Sequence, residues 1–501
     1  MSRPEPAGRL TATVSPRVAR LVYGSDTVSI PDLDLICTVD LAHLVMLAEQ
    51  HLITPSQAGA LAGRITALRQ ERFAPLAGLP APRGTYLAYE AYLIQQLGLD
   101  TGGRLHCGRS RNDLTATTTA LRLRAVSLEL LAEIARLSAV LLARARAHRD
   151  VLMPVYTHFQ AAMPATYGWY LLGVAFALER DALALQQALD CLDRCPLGAG
   201  AVAGTDLGID ASRTAELLGF SRPPRHALDA VASRDTALRM LAAAAGAALT
   251  VSRLAADLQL WSSAEFGLIE FPDRLVGGSS AMPQKRNAFL LEHLRARAGI
   301  AIGSWSAAAT IIRAAPFTNS VEVGTEAVSA IWPGLSAVTD VVCLAQAVVS
   351  GAHPVAGRMR ERAEQGFVGA TALANRLVGA GVPFRRAHSL VGAAVRDAIA
   401  RGDTQLRVSI AGSERHQPNG TDELYEIGDV DVVGDTADLD KLVAAATAGG
   451  GPGMFDQSWA EARAELIELI GRRQAVEHRV HQAERKLESA VAQLTGPRRS
   501  A

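Results

Sequence analysis

The sequence predicts an all-α fold, and three observations carry that prediction. Apolar residues recur at helical spacing over long stretches: Leu121, Leu128, Leu131, Ile134, Leu137 and Leu141 mark one face of a helix over 113–149. The apolar/polar alternation of half-buried strands is scarce, and "VDVV" (Val430 to Val433) is the one weak candidate. Apolar residues make up 49% of the 501 residues but aromatic ones only 5%. The core must therefore be built from Ala, Leu and Val, which suits close-packed helices.

The elements follow in order. Residues 4–83 carry helical periodicity with breaks, up to a loop at Pro80-Ala-Pro-Arg-Gly84. A helix is predicted over 86–97, then a loop over 98–112 ahead of the long helix. A third loop, 151–164, opens a helix to about 192, and 195–205 is glycine-rich. Long helices recur at 233–266, 288–315 and 324–350, the last with a kink expected at Pro333. After Arg358 the helices shorten. Residues 407–453 are polar and glycine-rich and read as mostly loop. A last helix is predicted over 459–494. Its Val476, Val480, Ala483, Leu487, Ala490 and Leu494 alternate spacings of four and three, a short heptad seam suited to an added interaction element. A chain of this length exceeds one core. Two or three domains are expected, with divisions drawn as an N-terminal helical domain (1–112), a central long-helix bundle (113–361) and a small C-terminal helical domain with an extended tail (362–501).

Composition excludes some functions. Fifty basic and fifty acidic residues cancel, so no electrostatic footprint for nucleic acid is present. Cys37, Cys107, Cys191, Cys195 and Cys343 lack metal spacing and read as buried free thiols in a reducing compartment. The first residues, MSRPEPAGRL, have no apolar signal segment. The longest apolar runs, 240–251 and 298–312, fall short of the ~20 residues of a membrane span. The expected location is cytoplasmic, with no membrane or nucleic-acid partner.

Three loops, each ahead of a helix, carry chemistry-bearing residues. In "GRSRND" (Gly108 to Asp113), arginines flank Ser110 where a helix begins. Free N–H groups beside guanidinium groups make an anion site, though an ordinary N-cap with exposed arginines has the same look. In "YTHFQ", Thr157, His158 and Gln160 lie between prolines that hold the backbone out of helix. His158 reads as a proton carrier or as a simple surface residue. In "GGSSAMPQKRN", Gly277 and Gly278 free the backbone so that Ser279 and Ser280 can swing. Lys285 and Asn287, two apart, face one way and suit a developing oxyanion. A glycine-serine linker explains the glycines but not this pair. Glu292 follows on the next helix, placed to orient a His or a Lys.

In this order and spacing the three segments resemble the signature regions of the fumarase/aspartase superfamily, and within it the argininosuccinate lyase branch. "PLGAGAVAGT" (Pro196 to Thr205) and "GVPFRRAH" (Gly381 to His388) match that branch too, and the resemblance runs from about Ser25 to about Arg401. It implies three helical domains whose long central helices assemble into one bundle in a homotetramer. Each active site would draw the three loops from three chains. Alanine-rich helices too long for one chain to bury fit that assembly independently. The reaction implied is reversible elimination of fumarate from a substituted succinate through an aci-carboxylate intermediate, with no metal or organic cofactor. The resemblance makes Ser279 the base and has Lys285 and Asn287 hold the carboxylate and its extra charge. His158, paired with Glu292, would support proton transfer to the leaving group. Ser110, Arg111, Asn112 and Thr157 would bind the small dicarboxylate, with Ser25, Ser280 and Met282 beside it and Gln160 and Arg234 as supports.

The departures from the branch cluster. Its E-D-I-H segment reads Arg83, Gly84, Thr85 and Tyr86. Its D-S-x-x-x-D reads Gly24, Ser25 and Ser29. Its D-I-x-G-S-x-A-H reads Ile36, Cys37, Val39, Asp40, Ala42 and His43. Its Y-N-K-D-M-Q-E-D-K runs from Thr318 to Glu326, where Val323 and Glu326 replace a glutamine and a lysine that resemble grips for the arginine end. The resemblance thus implies a carbon–nitrogen lyase acting on an N-substituted aspartate whose leaving amine is not arginine. An ordinary argininosuccinate lyase of arginine biosynthesis is the second reading. A non-catalytic structural protein is a third, since the family includes lens crystallins.

Overall fold

A computed structural model describes residues 14–23, 27–81, 83–410, 430–433 and 438–496. The chain opens with α1 (Pro16–Tyr23), α2 (Ile30–Glu49), α3 (Pro55–Gln70), α4 (Thr85–Leu97) and the single turn α5 (Leu99–Gly102). Then come α6 (Arg111–Ala147), a hairpin of β1 (Leu152–Thr157) and β2 (Gln160–Thr166), and α7 (Tyr167–Cys191). Two short helices, α8 (Ala211–Leu217) and α9 (Ala227–Ala232), precede α10 (Asp235–Trp261), the short β3 (Ile269–Glu270), α11 (Phe289–Ile312) and α12 (Ala327–Gly351). After β4 (His353–Pro354) come α13 (Ala356–Gln365), α14 (Ala370–Gly379), α15 (Phe384–Arg401), β5 (Arg407–Ile410), β6 (Val430–Val433), α16 (Leu439–Ala445) and α17 (Phe455–Thr495). The all-α expectation holds.

Helix α6 sets the scale. Ser110 caps its N-terminus in a reciprocal box with Asp113, and Arg144 and Arg146 stand in its last turn, so both ends suit the helix dipole. The predicted leucine stripe is buried. At about 1.5 Å per residue its 37 residues span about 55 Å. Helices α7 and α12 pack along it, α10 and α11 pack on these to complete a bundle, and one apolar core runs from α2–α4 through that bundle. A separate small core joins α14, α15 and β5 through Leu373, Leu377, Val391 and Leu406.

Several expectations are revised. The loop predicted over 151–164 is a hairpin. Its two prolines hid the strands, yet Pro154 and Pro164 sit opposite each other in a two-stranded sheet, where every strand is an edge. Residues 430–433 are a strand paired antiparallel with 407–410, a partner too distant in sequence to be read from spacing. Pro333 lies inside α12 without ending it, and a π-helical turn, Glu322–Glu326, precedes that helix. Cys191 and Cys343 are exposed and Cys107 half-buried; only Cys37 and Cys195 are buried. The heptad seam of α17 packs within the chain: Ala483 and Leu487 are buried, and Val476, Ala490 and Leu494 rest on the main core. Trp459 donates to the Leu142 carbonyl, and Arg149 pairs with Asp456 through two 2.9 Å bonds. α17 is thus pinned at the C-terminal end of α6 and folds back along it. Helix α10 and the segment Glu322–Gly351 are long and apolar enough to cross a membrane by length and composition, although uninterrupted apolar runs are short. Half of each such window is buried inside the bundle.

Candidate active site

The first loop is tied down from below. Asp113 accepts from the Ser110 N–H (2.9 Å) and, with its other oxygen, from the N–H groups of Gly198 (3.1 Å) and Gly200 (2.8 Å). The two signature segments 108–113 and 196–205 are therefore one unit. Gly198 (φ 100°) and Gly200 (φ 62°) adopt left-handed backbone, and a Cβ on Gly200 would lie 2.5 Å from the Gly204 carbonyl oxygen. Burial pushes the Asp113 carboxyl up, and the three N–H donors pull against it. Asn112 donates to the Ala201 carbonyl (3.0 Å), and Arg111 donates to the Arg83 carbonyl (3.2 Å). Ser110, Arg111 and Asn112 thus stand together at the start of α6.

Arg109, one of the two arginines flanking Ser110 that were expected to help form an anion site, is instead buried and anchors this loop. It pairs with Asp40 of α2 at 2.6 Å, both side chains fully buried, and donates to the Tyr86 hydroxyl at 2.9 Å. Tyr86 in turn shares a hydrogen bond with His106 (3.0 Å), and His43 bonds the Cys107 carbonyl (2.8 Å). Burial works against the Arg109 charge, but the Asp40 carboxylate outweighs it and pushes the pKa up. Asp40, His43 and Tyr86 are departures or survivors of the branch pattern that sit beneath the loop. Cys37 and Val39 are fully buried as well. The α2 differences therefore rebuild the support of the loop and do not line a pocket.

Two histidines, His106 in this cluster and His148 at the far end of α6, make stability depend on pH. Burial, then the charges of Arg109 and Arg111, push His106 down from 6.5 to about 4. Burial and Arg144 do the same to His148, to about 4. Both are neutral when folded and take up protons on unfolding below their usual pKa, so the unfolded state binds more protons there. The stability that these two histidines contribute is expected to fall as the pH drops from about 6.5 toward 4. A His106→Gln/His148→Gln variant is expected to show a flatter Tm–pH slope over the same range.

The second loop is the tip of the β1–β2 hairpin. Thr157 pairs with Gln160, and His158 and Phe159 fill a two-residue turn with φ of 52° and 61°. A two-residue hairpin turn needs this left-handed backbone at both positions, which non-glycine residues rarely adopt and which costs of order 1–3 kcal/mol per residue. All four residues are exposed, and the His158 side chain makes no hydrogen bond or ion pair among the described residues.

The third loop is closed at its base, where Gly277 and Asn287 exchange N–H···O bonds of 2.9 and 2.8 Å. Neither Gly277 nor Gly278 adopts positive φ, and a Cβ on Gly277 would press on Phe289 at 3.1 Å. The expected double-glycine swing is thus restrained at Gly277, and only Gly278 faces open space. Inside the loop the Ser279 Oγ accepts from the N–H groups of Ala281 (3.3 Å) and Met282 (3.1 Å). Ser280, Met282 and Lys285 are exposed. Asn287 turns back toward the Gly278 carbonyl (3.4 Å). Glu292 accepts from Gln259 (3.3 Å), so it does not pair with His158 within one chain.

The chain does not bring the three loops together. Trp261 at the end of α10 packs on Tyr170 in the first turn of α7 (4.7 Å), β3 pairs with β4, and Arg144 donates to the Ala352 carbonyl. These contacts place the Ser279 loop and the His158 hairpin at the C-terminal end of α6. Ser110, Arg111 and Asn112 stand at its other end. Arg234, at the start of α10, lies beside the first turns of α6, since a cavity there is lined by Ala116, Thr119 and Arg234. Val323 is buried and Glu326 exposed at the α11–α12 junction. Ser25 lies outside the described residues.

Comparison with known proteins gives the family. A family model described as "Lyase" matches residues 81–303, and one described as "Argininosuccinate lyase C-terminal" matches 367–433. The second match carries the family past residue 401 through β5 and β6, part of a segment the motifs had left outside it. The argininosuccinate lyase of Methanoculleus marisnigri is 40% identical over 72% of this chain and 73% of its own. Argininosuccinate lyase 2 of Shouchella clausii is 35% identical over 78% and 84%. An EDDS lyase variant with bound fumarate aligns over 97% of both chains with a TM-score of 0.82 and 25% identity. The protein is thus a carbon–nitrogen lyase and belongs to the argininosuccinate lyase family of the fumarase/aspartase superfamily.

Proposed function

We propose that the protein releases fumarate from an N-substituted aspartate whose leaving amine is not arginine, with Ser279 as the base. The observation that carries the chemistry is the pair of N–H groups on the Ser279 Oγ. A serine hydroxyl is too weak an acid to serve unaided. Donors aimed at its oxygen favour the alkoxide over the hydroxyl. The alkoxide takes a proton from the carbon beside a carboxylate, and the electron pair moves into that carboxylate. Lys285 and Asn287 hold the resulting aci-carboxylate. The C–N bond then breaks, the amine leaves with a proton passed through His158, supported by Glu292, and fumarate remains. Ser110, Arg111, Asn112 and Thr157 hold the carboxylates, assisted by Gln160 and Arg234.

Such a site needs more than one chain, and we propose a homotetramer in which each site takes its loops from three chains. The placement of the loops at opposite ends of α6 supports this. So does α11, whose Ile300, Ile302 and Trp305 are exposed in the single chain.

The leaving group is argued from the far end of the pocket. Residues 83 and 84 carry no acid, Gly84 caps α4 without a side chain, and an exposed Glu326 stands where the branch resemblance expects a lysine. A carboxylate there repels the amino-acid carboxylate of arginine, and a lost buried partner costs about 1–3 kcal/mol. The names of relatives at 35–40% identity favour the second reading, a true argininosuccinate lyase. A panel of N-substituted aspartates that includes argininosuccinate separates the two by fumarate absorbance. At least one other member is expected to exceed argininosuccinate in kcat/KM by about 10²-fold or more. Argininosuccinate as the best substrate would establish the second reading.

A further inference from the structure

We infer that Gln259 is a positioning residue that sets the Glu292 carboxylate for its work on the histidine. This rests on the reading of Glu292 as the carboxylate that supports His158, and it holds whichever amine leaves. Gln259 lies in the last turn of α10 and Glu292 in the first turn of α11. Beside them, Leu258 of α10 and Leu291 and Leu294 of α11 are buried in the bundle core, where the two helices pack on each other. Close packing of these neighbours fixes both helix ends. Gln259 and Glu292 therefore meet at the rim of the bundle from rigid supports.

The amide bonds in two directions. Gln259 Nε2 donates to Glu292 Oε1 (3.3 Å), and Gln259 Oε1 accepts from Arg295 Nη1 (2.8 Å). A guanidinium only donates, so Arg295 decides which end of the amide is oxygen and which is nitrogen. The N–H end is thereby held toward Glu292 and cannot flip without losing both bonds. Arg295 stands three residues after Glu292 on one helix, a spacing that allows a direct ion pair. Among the described residues, however, Glu292 bonds Gln259 alone. The neutral amide stands between the two charges. One carboxylate oxygen is held, while Oε2 has no partner among the described residues and the side chain is exposed. A carboxylate fixed at one oxygen and open at the other suits a histidine N–H arriving from another chain. It orients the imidazole and favours its protonated form, the form that hands a proton to the leaving amine. Without the amide the glutamate samples other rotamers, and each wrong one leaves the histidine without its partner.

A double-mutant cycle on the full-length protein tests the assignment, with fumarate release from the best substrate of the panel as the readout. Methionine at 259 keeps the length of the side chain and removes both hydrogen-bonding groups. Gln259→Met is expected to lower kcat about three- to tenfold, the size of one lost hydrogen bond. KM is expected to stay within about twofold, because the dicarboxylate is held elsewhere. Glu292→Gln is expected to lower kcat more, by about 10²-fold. In the Glu292→Gln background, Gln259→Met is expected to change kcat by less than about twofold, because the carboxylate it positions is gone. A residue that only stabilises α10 costs the same factor in both backgrounds. If Gln259→Met does not fold, Arg295→Met, which frees the amide to flip, goes through the same cycle, and a loss confined to proteins that keep Glu292 supports the inference. Equal losses with and without Glu292, or parental kcat in Gln259→Met beside an impaired Glu292→Gln, overturn the inference alone. Parental kcat in Glu292→Gln overturns the reading of Glu292 and the inference built on it.

Discussion

Replacing Ser279 with alanine is expected to lower kcat for fumarate release by about 10²–10⁴-fold, the usual loss when a positioned base is removed. The side chain belongs to a partly exposed loop and, among the described residues, bonds only the N–H groups of Ala281 and Met282. The loop keeps its Gly277–Asn287 closure without it. Tm and assembly are therefore expected to stay close to those of the parent, with changes within about 0.5–1.5 kcal/mol. KM is expected to change little, because the alkoxide is needed for the transition state and not for holding the dicarboxylate. A thermal melt and steady-state kinetics on the same preparation check the prediction.

The second large effect concerns assembly. Ser279→Ala and Asn112→Ala damage loops at opposite ends of α6. Each homogeneous variant is expected to be nearly inactive. If a site takes these loops from different chains, random mixing in equal amounts makes half the sites sound in one loop, and half of those sound in the other. About a quarter of parental activity is then expected to return. Mixing Ser279→Ala with Lys285→Met is the control. Both residues sit on one loop of one chain, so no mixed site is whole and no activity is expected to return. Co-expression with two affinity tags and fumarate assays of the doubly tagged protein measure both mixtures.

Much of the bundle was legible because periodicity survives in long helices: the stripe from Leu121 to Leu141 is buried where the sequence puts it. The β1–β2 hairpin was hidden because prolines broke its alternation, and the β5–β6 pair because its partners are distant in sequence. The signature motifs named Ser110, His158 and Ser279, which lie on exposed or capping positions where chemistry and not packing sets the residue. The support of those residues was not legible. Asp40 and Tyr86 read as losses against the branch pattern, and only the fold shows both holding Arg109.

The central claim is that the Ser279 oxygen removes the carbon-bound hydrogen, and isotope exchange tests it most directly. When fumarate and the amine of the best substrate are combined with the enzyme in D2O, one deuterium is expected at the methylene carbon of the N-substituted aspartate that forms, as read by NMR. Ser279→Ala, still able to bind the dicarboxylate, is expected to lose that incorporation in step with kcat. Incorporation at the parental rate by the Ser279→Ala protein would contradict the account.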